Sequence, residues 1–237
     1  MIVLNYHFFS YIHFGGLMMT KIRLDKRLKE KVPGYCLAVM QFSMTVLPTD
    51  DELKSKMEVL EQEVMSELTL ETLLKEPRIA AARAGYKALG KDPSRYRLST
   101  EALLRRLIKG NGLYFVNNAV DIGNVLSVKT QRSVAVLDKD KIQGDVLIRI
   151  GEDEPYEGIG RGQINIENIP VYCDEVGPFG TPTSDTPRTR ITDETKNILL
   201  FITSFNGTDG LAEDVELAKD LFSNYGQMMN FSLEIVE

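Results

Sequence analysis

The stretch with the densest supply of chemically useful side chains is Gly177-Pro178-Phe179-Gly180-Thr181-Pro182-Thr183-Ser184-Asp185-Thr186-Pro187-Arg188. Glycines such as Gly177 and Gly180 let a backbone approach a ligand closely, and the prolines stiffen the loop around them. Thr181, Thr183 and Ser184 supply compact donors and acceptors, Asp185 is the only obvious general base, and Arg188 and Arg190 can meet an anion. Many ligand rims are built from such a loop just ahead of a buried strand, and a plain surface loop fits the same composition. A second glycine-rich run, Gly158-Ile159-Gly160-Arg161-Gly162, invites a phosphate-loop reading. A dinucleotide fingerprint needs another glycine where Gln163 stands and then a helix, and no Gly-Lys-Ser/Thr follows, so this run reads as a hairpin turn.

Other chemistries are excluded by what the chain lacks. It has two histidines, His7 and His13, both in the first fourteen residues. Met1 to Leu17 is aromatic, without Lys or Arg and without the layout of a secretory signal. Met18-Met19-Thr20-Lys21 looks like a more natural start, so residues 1–18 are expected to be an extension or flexible arm, and 19–237 a single domain. A body without histidine excludes a Ser-His-Asp triad, a Cys-His pair and a His-ligated zinc site. Cys36 and Cys173 form no metal motif or disulfide framework, which points to the cytoplasm and to no metal. No cofactor motif is present, and no run approaches the roughly 18 apolar residues of a membrane span. With 28 basic against 34 acidic residues, the net charge is −6, so any nucleic acid has to meet a local basic face.

The elements that must position the loop follow from periodicity. Ile22 to Leu24 and the apolar run Tyr35 to Phe42 read as strands. Leu53, Met57, Leu60, Val64 and Leu68 lie on one helical face, with Asp50 and Asp51 at its N-terminus. A second helix runs from about Arg78 to Leu89, and Ser99 is a good N-cap for a third over 100–109. Beyond Gly112 the texture turns β-like: Val134 to Leu137, Val146 to Ile150, Pro170 to Asp174 and the fully apolar Ile198 to Ile202, with hairpin and loop over 152–168. Leu211, Val215, Ala218, Leu221 and Phe222 mark a C-terminal helix, and Phe231, Leu233 and Ile235 alternate as a last strand. Without strict βαβα alternation, the expected class is α+β, with the N-terminal helices packed on a mixed sheet.

Charge is divided unevenly. Between Thr49 and Glu76 nine acids face three lysines; between Pro77 and Lys109 nine bases, Arg83, Arg95, Arg97 and Arg105 among them, face Asp92 and Glu101. This is either a solvated helix face with complementary partners or a phosphate-tracking surface, with Tyr86 and Tyr96 interleaved for stacking.

The run Arg83-Ala-Gly-Tyr-Lys-Ala-Leu-Gly-Lys-Asp-Pro-Ser-Arg-Tyr-Arg97, then Ser99-Thr-Glu-Ala-Leu-Leu-Arg-Arg106 and Val120-Asp-Ile-Gly-Asn124, resembles the stand-alone relatives of the B-three/B-four module. That module is the tRNA-editing domain of the phenylalanyl-tRNA synthetase β subunit. Asp138-Lys-Asp-Lys-Ile142, Gly180-Thr-Pro-Thr-Ser-Asp185 and Thr195 to Ile202 continue the likeness, which covers almost the whole chain. It implies an α/β sandwich of unusual topology, a cytoplasmic place, tRNA or aminoacyl-tRNA as partner, and hydrolysis of mischarged aminoacyl-tRNA rather than ligation. Asn124 is retained from the module's Asp-apolar-Thr-Asn motif, with Gly123 where the threonine stands. The module's pocket histidine falls on Ala135, and the glutamate that reads a tyrosine hydroxyl falls, after a short insertion, on Phe201. A site without that glutamate cannot discriminate a hydroxyl by pairing with it, so the chain is not expected to be a tyrosine editor. The expected pocket is Asn124, Ala135, Phe201 and the Gly177 to Arg188 loop, with Thr183, Ser184 and Asp185 as catalytic candidates. A non-catalytic binder of RNA, or of a small amino-acid-like metabolite, is the alternative.

Overall fold

The computed structural model describes residues 19–237; the expected extension over 1–18, with His7 and His13, lies outside them. β1 (Ile22–Leu24) and α1 (Lys26–Lys31) lead into β2 (Cys36–Ser43). Asp50 caps α2 (Asp51–Glu67), its carboxylate accepting from the Leu53 N–H at 2.8 Å, as the two acids at that end predict. α3 (Leu70–Leu73), α4 (Pro77–Ala88), α5 (Ser99–Ile108) and α6 (Asn118–Thr130) complete the helical stretch. β3 (Ser133–Asp138), β4 (Val146–Ile150), the two-residue strands β5 (Glu157–Gly158) and β6 (Gly162–Gln163), β7 (Pro170–Cys173) and β8 (Pro178–Gly180) come next. The chain closes with β9 (Asn197–Ser204), α7 (Leu211–Gly226) and β10 (Met229–Val236).

Two local expectations change. Ser99 is the first residue of α5 and not its cap; Leu98 holds that position, and the Ser99 N–H goes to the Pro182 carbonyl at 2.8 Å. The start of α5 is thereby docked onto the loop after β8. The β-like texture beyond Gly112 conceals α6, which Asn117 caps by accepting from the Val120 N–H at 3.0 Å. Val120, Ile122, Val125 and Val128 are β-branched, and α6 is buried nearly all round, so it shows no amphipathic period.

The strands form two four-stranded sheets and the small β5–β6 hairpin. One sheet, ordered β10-β2-β9-β3, is antiparallel throughout; the other, β1-β4-β7-β8, is mixed, with β1 and β4 parallel. The antiparallel sheet is the middle layer. Cys36, Ala38, Met40 and Phe42 of β2 and Ile198, Leu200 and Ile202 of β9 pack against α2, α5, α6 and α7. The alternating residues Leu37, Val39, Leu199 and Phe201 turn the other way, onto Ile148, Val171 and Phe179 of the mixed sheet. Burial on both faces is why β2 and β9 read as unbroken apolar runs. The α+β class stands, with one refinement: most helices lie on the antiparallel sheet, and the mixed sheet covers its opposite face.

Candidate functional site

The loop after β8 folds on itself through its own hydroxyls. Thr181 Oγ1 accepts from the N–H groups of Thr183 (3.1 Å) and Ser184 (2.9 Å), the side-chain turn that threonine readily forms. The Thr186 N–H and hydroxyl both donate to the Phe179 carbonyl, at 3.0 and 3.1 Å, which closes the loop. Ser133 of β3 donates to Pro182 O at 2.9 Å, tying it to the edge of the antiparallel sheet. The β5–β6 hairpin lies across it: Ile159 N–H donates to Asp185 O at 2.9 Å, and the Tyr156 hydroxyl to Ser184 O at 2.5 Å.

Three tyrosines from separate places in the chain meet this loop, and a fourth, Tyr35, lies beside one of them. Tyr86 of α4 shares a 2.8 Å hydrogen bond with Thr183 Oγ1, and Tyr172 of β7 a 2.9 Å bond with Thr203 Oγ1 of β9. Tyr156 precedes β5, and Tyr35, just ahead of β2, sits beside Tyr172 and Thr203. Burial pushes all four phenols above their ordinary range. Among the described residues, two buried side-chain oxygens have no hydrogen-bond partner, Tyr35 Oη and Asp185 Oδ1, and both belong to this cluster. The residue Asp185 keeps part of its surface near solvent while Oδ1 is sealed. Burial raises its carboxyl to about 7, against the pull of the Thr181 backbone N–H. Gly180 is required beside it: a Cβ there would come within 2.7 Å of the Tyr172 ring and 2.9 Å of Asp185 Oδ1.

Ala135 and Phe201 are cross-strand partners on β3 and β9, both facing the mixed sheet. Phe201 is fully buried, its ring 4.8 Å from that of Tyr172 in an edge-on contact. The wall at these two positions is thus apolar and filled by side chains. Asn124 is not brought to the loop. It lies on α6, whose neighbouring Ile122, Val125 and Leu126 pack on the opposite face of the antiparallel sheet. Gly177 turns β7 into β8 at φ +135, its N–H held by Asp174. Arg188 is a structural clamp: its guanidinium grips the buried Asp174 carboxylate through two 2.9 Å bonds.

The basic stretch divides in the same way. Arg83 and Arg105 both bind Glu101, at 2.8 and 2.7 Å, and the Glu101 side chain is 0% exposed. Tyr86 is buried and hydrogen-bonded, so it offers no stacking face, and Tyr96 lies under the Lys91 ammonium at 3.9 Å. Arg95 and Arg97 are exposed, and Arg161 on the hairpin is exposed and close enough for its charge to be felt at the Tyr86 hydroxyl. Two open hollows, of about 600 and about 360 Å³, lie around Arg149 and Glu154 and around Tyr156 and Ile164; neither includes Asp185. Among the described residues no group of three or more His, Cys, Asp or Glu is placed to hold a metal ion, and no helix is long and apolar enough to cross a membrane.

Residues 81–226 match the family model of the B3/4 domain. The chain belongs to the B3/4 domain family. No curated protein sequence matches it. An N-terminal fragment of the phenylalanyl-tRNA synthetase β subunit from Pyrococcus horikoshii is similar in structure, with 13% identity and a TM-score of 0.45, over 96% of this chain and 54% of that one. The chain therefore spans about half the length of that fragment. The tyrosine cluster of this B3/4 domain escaped the sequence reading because its members are 35, 86, 156 and 172, with no common spacing. The available signal was Tyr172 in an otherwise apolar strand, since a buried phenol needs a partner.

Proposed function

We propose that this B3/4 domain is a cytoplasmic tRNA-binding protein that receives the aminoacyl end of tRNA at Asp185 and hydrolyses mischarged esters there. The observation that supports this most directly is a carboxyl with one sealed, unpartnered oxygen, raised to about 7 and lying near the Tyr156 and Tyr172 phenols. Arg95, Arg97 and Arg161 meet the phosphates, since Arg83 and Arg105 are already committed to Glu101. Of the three catalytic candidates, Thr183 is occupied by Tyr86, while Ser184 Oγ has a single long contact at 3.5 Å and is the hydroxyl free to hold a water. Asp185, ionised above about pH 7, takes the proton as that water bonds to the ester carbonyl carbon. The carbon–oxygen ester bond then breaks, and the proton passes from Asp185 to the departing ribose oxygen. With Phe201 where the module has the glutamate that reads a tyrosine hydroxyl, that reader is missing, so tyrosine is not the amino acid the site selects.

A second reading, a binder of RNA or of an amino-acid-like metabolite without hydrolysis, is favoured by the packing of Tyr172 on Phe201, which fills the wall. Deacylation of a panel of mischarged tRNAs separates the two. The hydrolase reading expects ester cleavage that Asp185→Asn slows at least tenfold while tRNA retention persists, with Asn124→Ala unchanged. Retention that weakens with salt but no deacylation leaves the binder; neither retention nor deacylation removes tRNA from both readings.

A further inference from the structure

The two edge strands of the antiparallel sheet are finished differently. β3 is met by the loop after β8, through Ser133 on Pro182 O. β10 bonds to β2 on one side and, among the described residues, to no strand on the other. It runs from Met229 to Val236, with a bulge between Met229 and Ser232 and Glu234 as its one charge. Proteins commonly defend an exposed edge with lysine, proline or a very short strand, and beyond the bulge β10 has none of these. Phe231, Leu233 and Ile235 continue the apolar face that Met40 and Ala38 of β2 present to the helices. On β2 that face is 0% exposed; on β10 it is only partly covered, and Ile235 is 38% exposed.

We infer that the free edge of β10 is an interface for a second copy of this chain, paired antiparallel about a two-fold axis at Leu233 so that the two antiparallel sheets become one. The edge is self-complementary in that register. Leu233 meets its own copy, Phe231 meets Ile235 of the second copy, and Ser232 meets Glu234 of the second copy, so the apolar row continues unbroken on one face and the polar row on the other. Centring the pair on Glu234 would set two carboxylates directly opposite, and centring it on Ser232 would run Ile235 onto the bulge at Met229. Charge favours the same register. Glu237, exposed just beyond Ile235, is carried to the end of the row where Lys219 of the other copy lies 5.8 Å from the centre of the Phe231 ring. A strand edge is smaller than the standard interface of roughly 1,600 Å², so the dimer is expected to dissociate on dilution. β3 lies at the far end of the strand order, which leaves the loop after β8 at the two outer ends of the joined sheet, clear of the contact. None of this depends on what that loop binds.

Sedimentation equilibrium of the full chain, over about a hundredfold range of concentration, reads the association. The expected result is a passage from one chain mass to two as concentration rises. Ile235→Lys, a charge at a partly exposed position, should weaken the association about tenfold or more. Register is read by disulfide capture with diamide as oxidant. Opposed residues of an antiparallel pair have Cα atoms about 4.5–5.5 Å apart, within disulfide reach, so Leu233→Cys should yield a covalent dimer. Ile235→Cys should not, because its own copy lies at the far end of the paired stretch, roughly 14 Å away. Cys36 and Cys173 are buried and take no part. One chain mass at every concentration, a dimer that Ile235→Lys leaves intact, or capture at 235 as readily as at 233 overturns the inference. A monomer whose β10 amides exchange slowly with solvent means that the edge is covered from within its own chain, and overturns it equally.

Discussion

Glu101 and Asp185 both hold carboxylate oxygens closed off from water, and the fold treats them in opposite ways. Glu101, on α5, receives three guanidinium hydrogen bonds, two from Arg83 and one from Arg105 one turn on. Asp185, on the loop after β8, has an oxygen with no partner at all. A buried charge costs several kcal/mol to desolvate and stays ionised where paired donors offset that cost. An unpaired one is instead driven toward its neutral form. The first arrangement fastens α4 to α5. The second leaves a group with unspent hydrogen-bonding capacity, and that difference distinguishes structural acids from site candidates here better than exposure does.

Substitutions at the two acids should move stability in opposite directions. Glu101→Gln leaves two guanidiniums short of their charge partner, and urea unfolding should show a loss of about 3–5 kcal/mol, the range for breaking a buried pair from one side. Asp185→Asn should instead stabilise, on the order of 2–4 kcal/mol at pH 8, because a carboxyl held at about 7 in the fold and near 3.8 in the unfolded chain loses stability on ionising. The sign follows from proton binding. The folded state holds the proton more tightly, so the benefit is complete below about pH 4 and disappears as pH rises through 7. Unfolding curves at pH 4 and pH 8 should therefore show a gap between Asp185→Asn and the parent that opens with pH; a gap of constant size would mean that Asp185 is paired after all.

Gly180→Ala tests the packing around the unpaired acid. Its Cβ must displace either the Tyr172 ring or the carboxyl, and a cost of about 1–3 kcal/mol is expected by thermal or urea unfolding. The smallest effect belongs to the exposed bases. Arg95→Ala with Arg97→Ala should leave stability within about 0.5 kcal/mol, yet lower the logarithmic salt slope of tRNA retention by roughly one to two units. Arg83→Ala should do the reverse, destabilising the fold because Glu101 is left with fewer donors.

Much of this architecture is legible in the sequence wherever one physical rule acts alone. β1 spans the three residues expected of it, α2 follows its apolar spacing, and the unbroken runs of β2 and β9 announce strands buried on both faces. α6 is hidden because burial on nearly all sides erases its period and its valines argue for strand. At the site, the loop from Gly177 to Arg188 was visible as a dense polar stretch, but its internal division was not. Arg188 and Arg83 look like free cations in the sequence, and only the fold reveals that Asp174 and Glu101 hold them. The tyrosine cluster beside Asp185 has no sequence signature, since its members come together from separate elements.

The pairing of Ala135 with Phe201 across two strands also limits how this protein can change. A glutamate introduced at 201 alone would bury an acid against aliphatic and aromatic neighbours, with nothing opposite to receive it. A histidine at 135 alone would enlarge a side chain already buried beside its cross-strand neighbour Phe201. Each single step is opposed by burial or crowding, so the two positions are expected to change together.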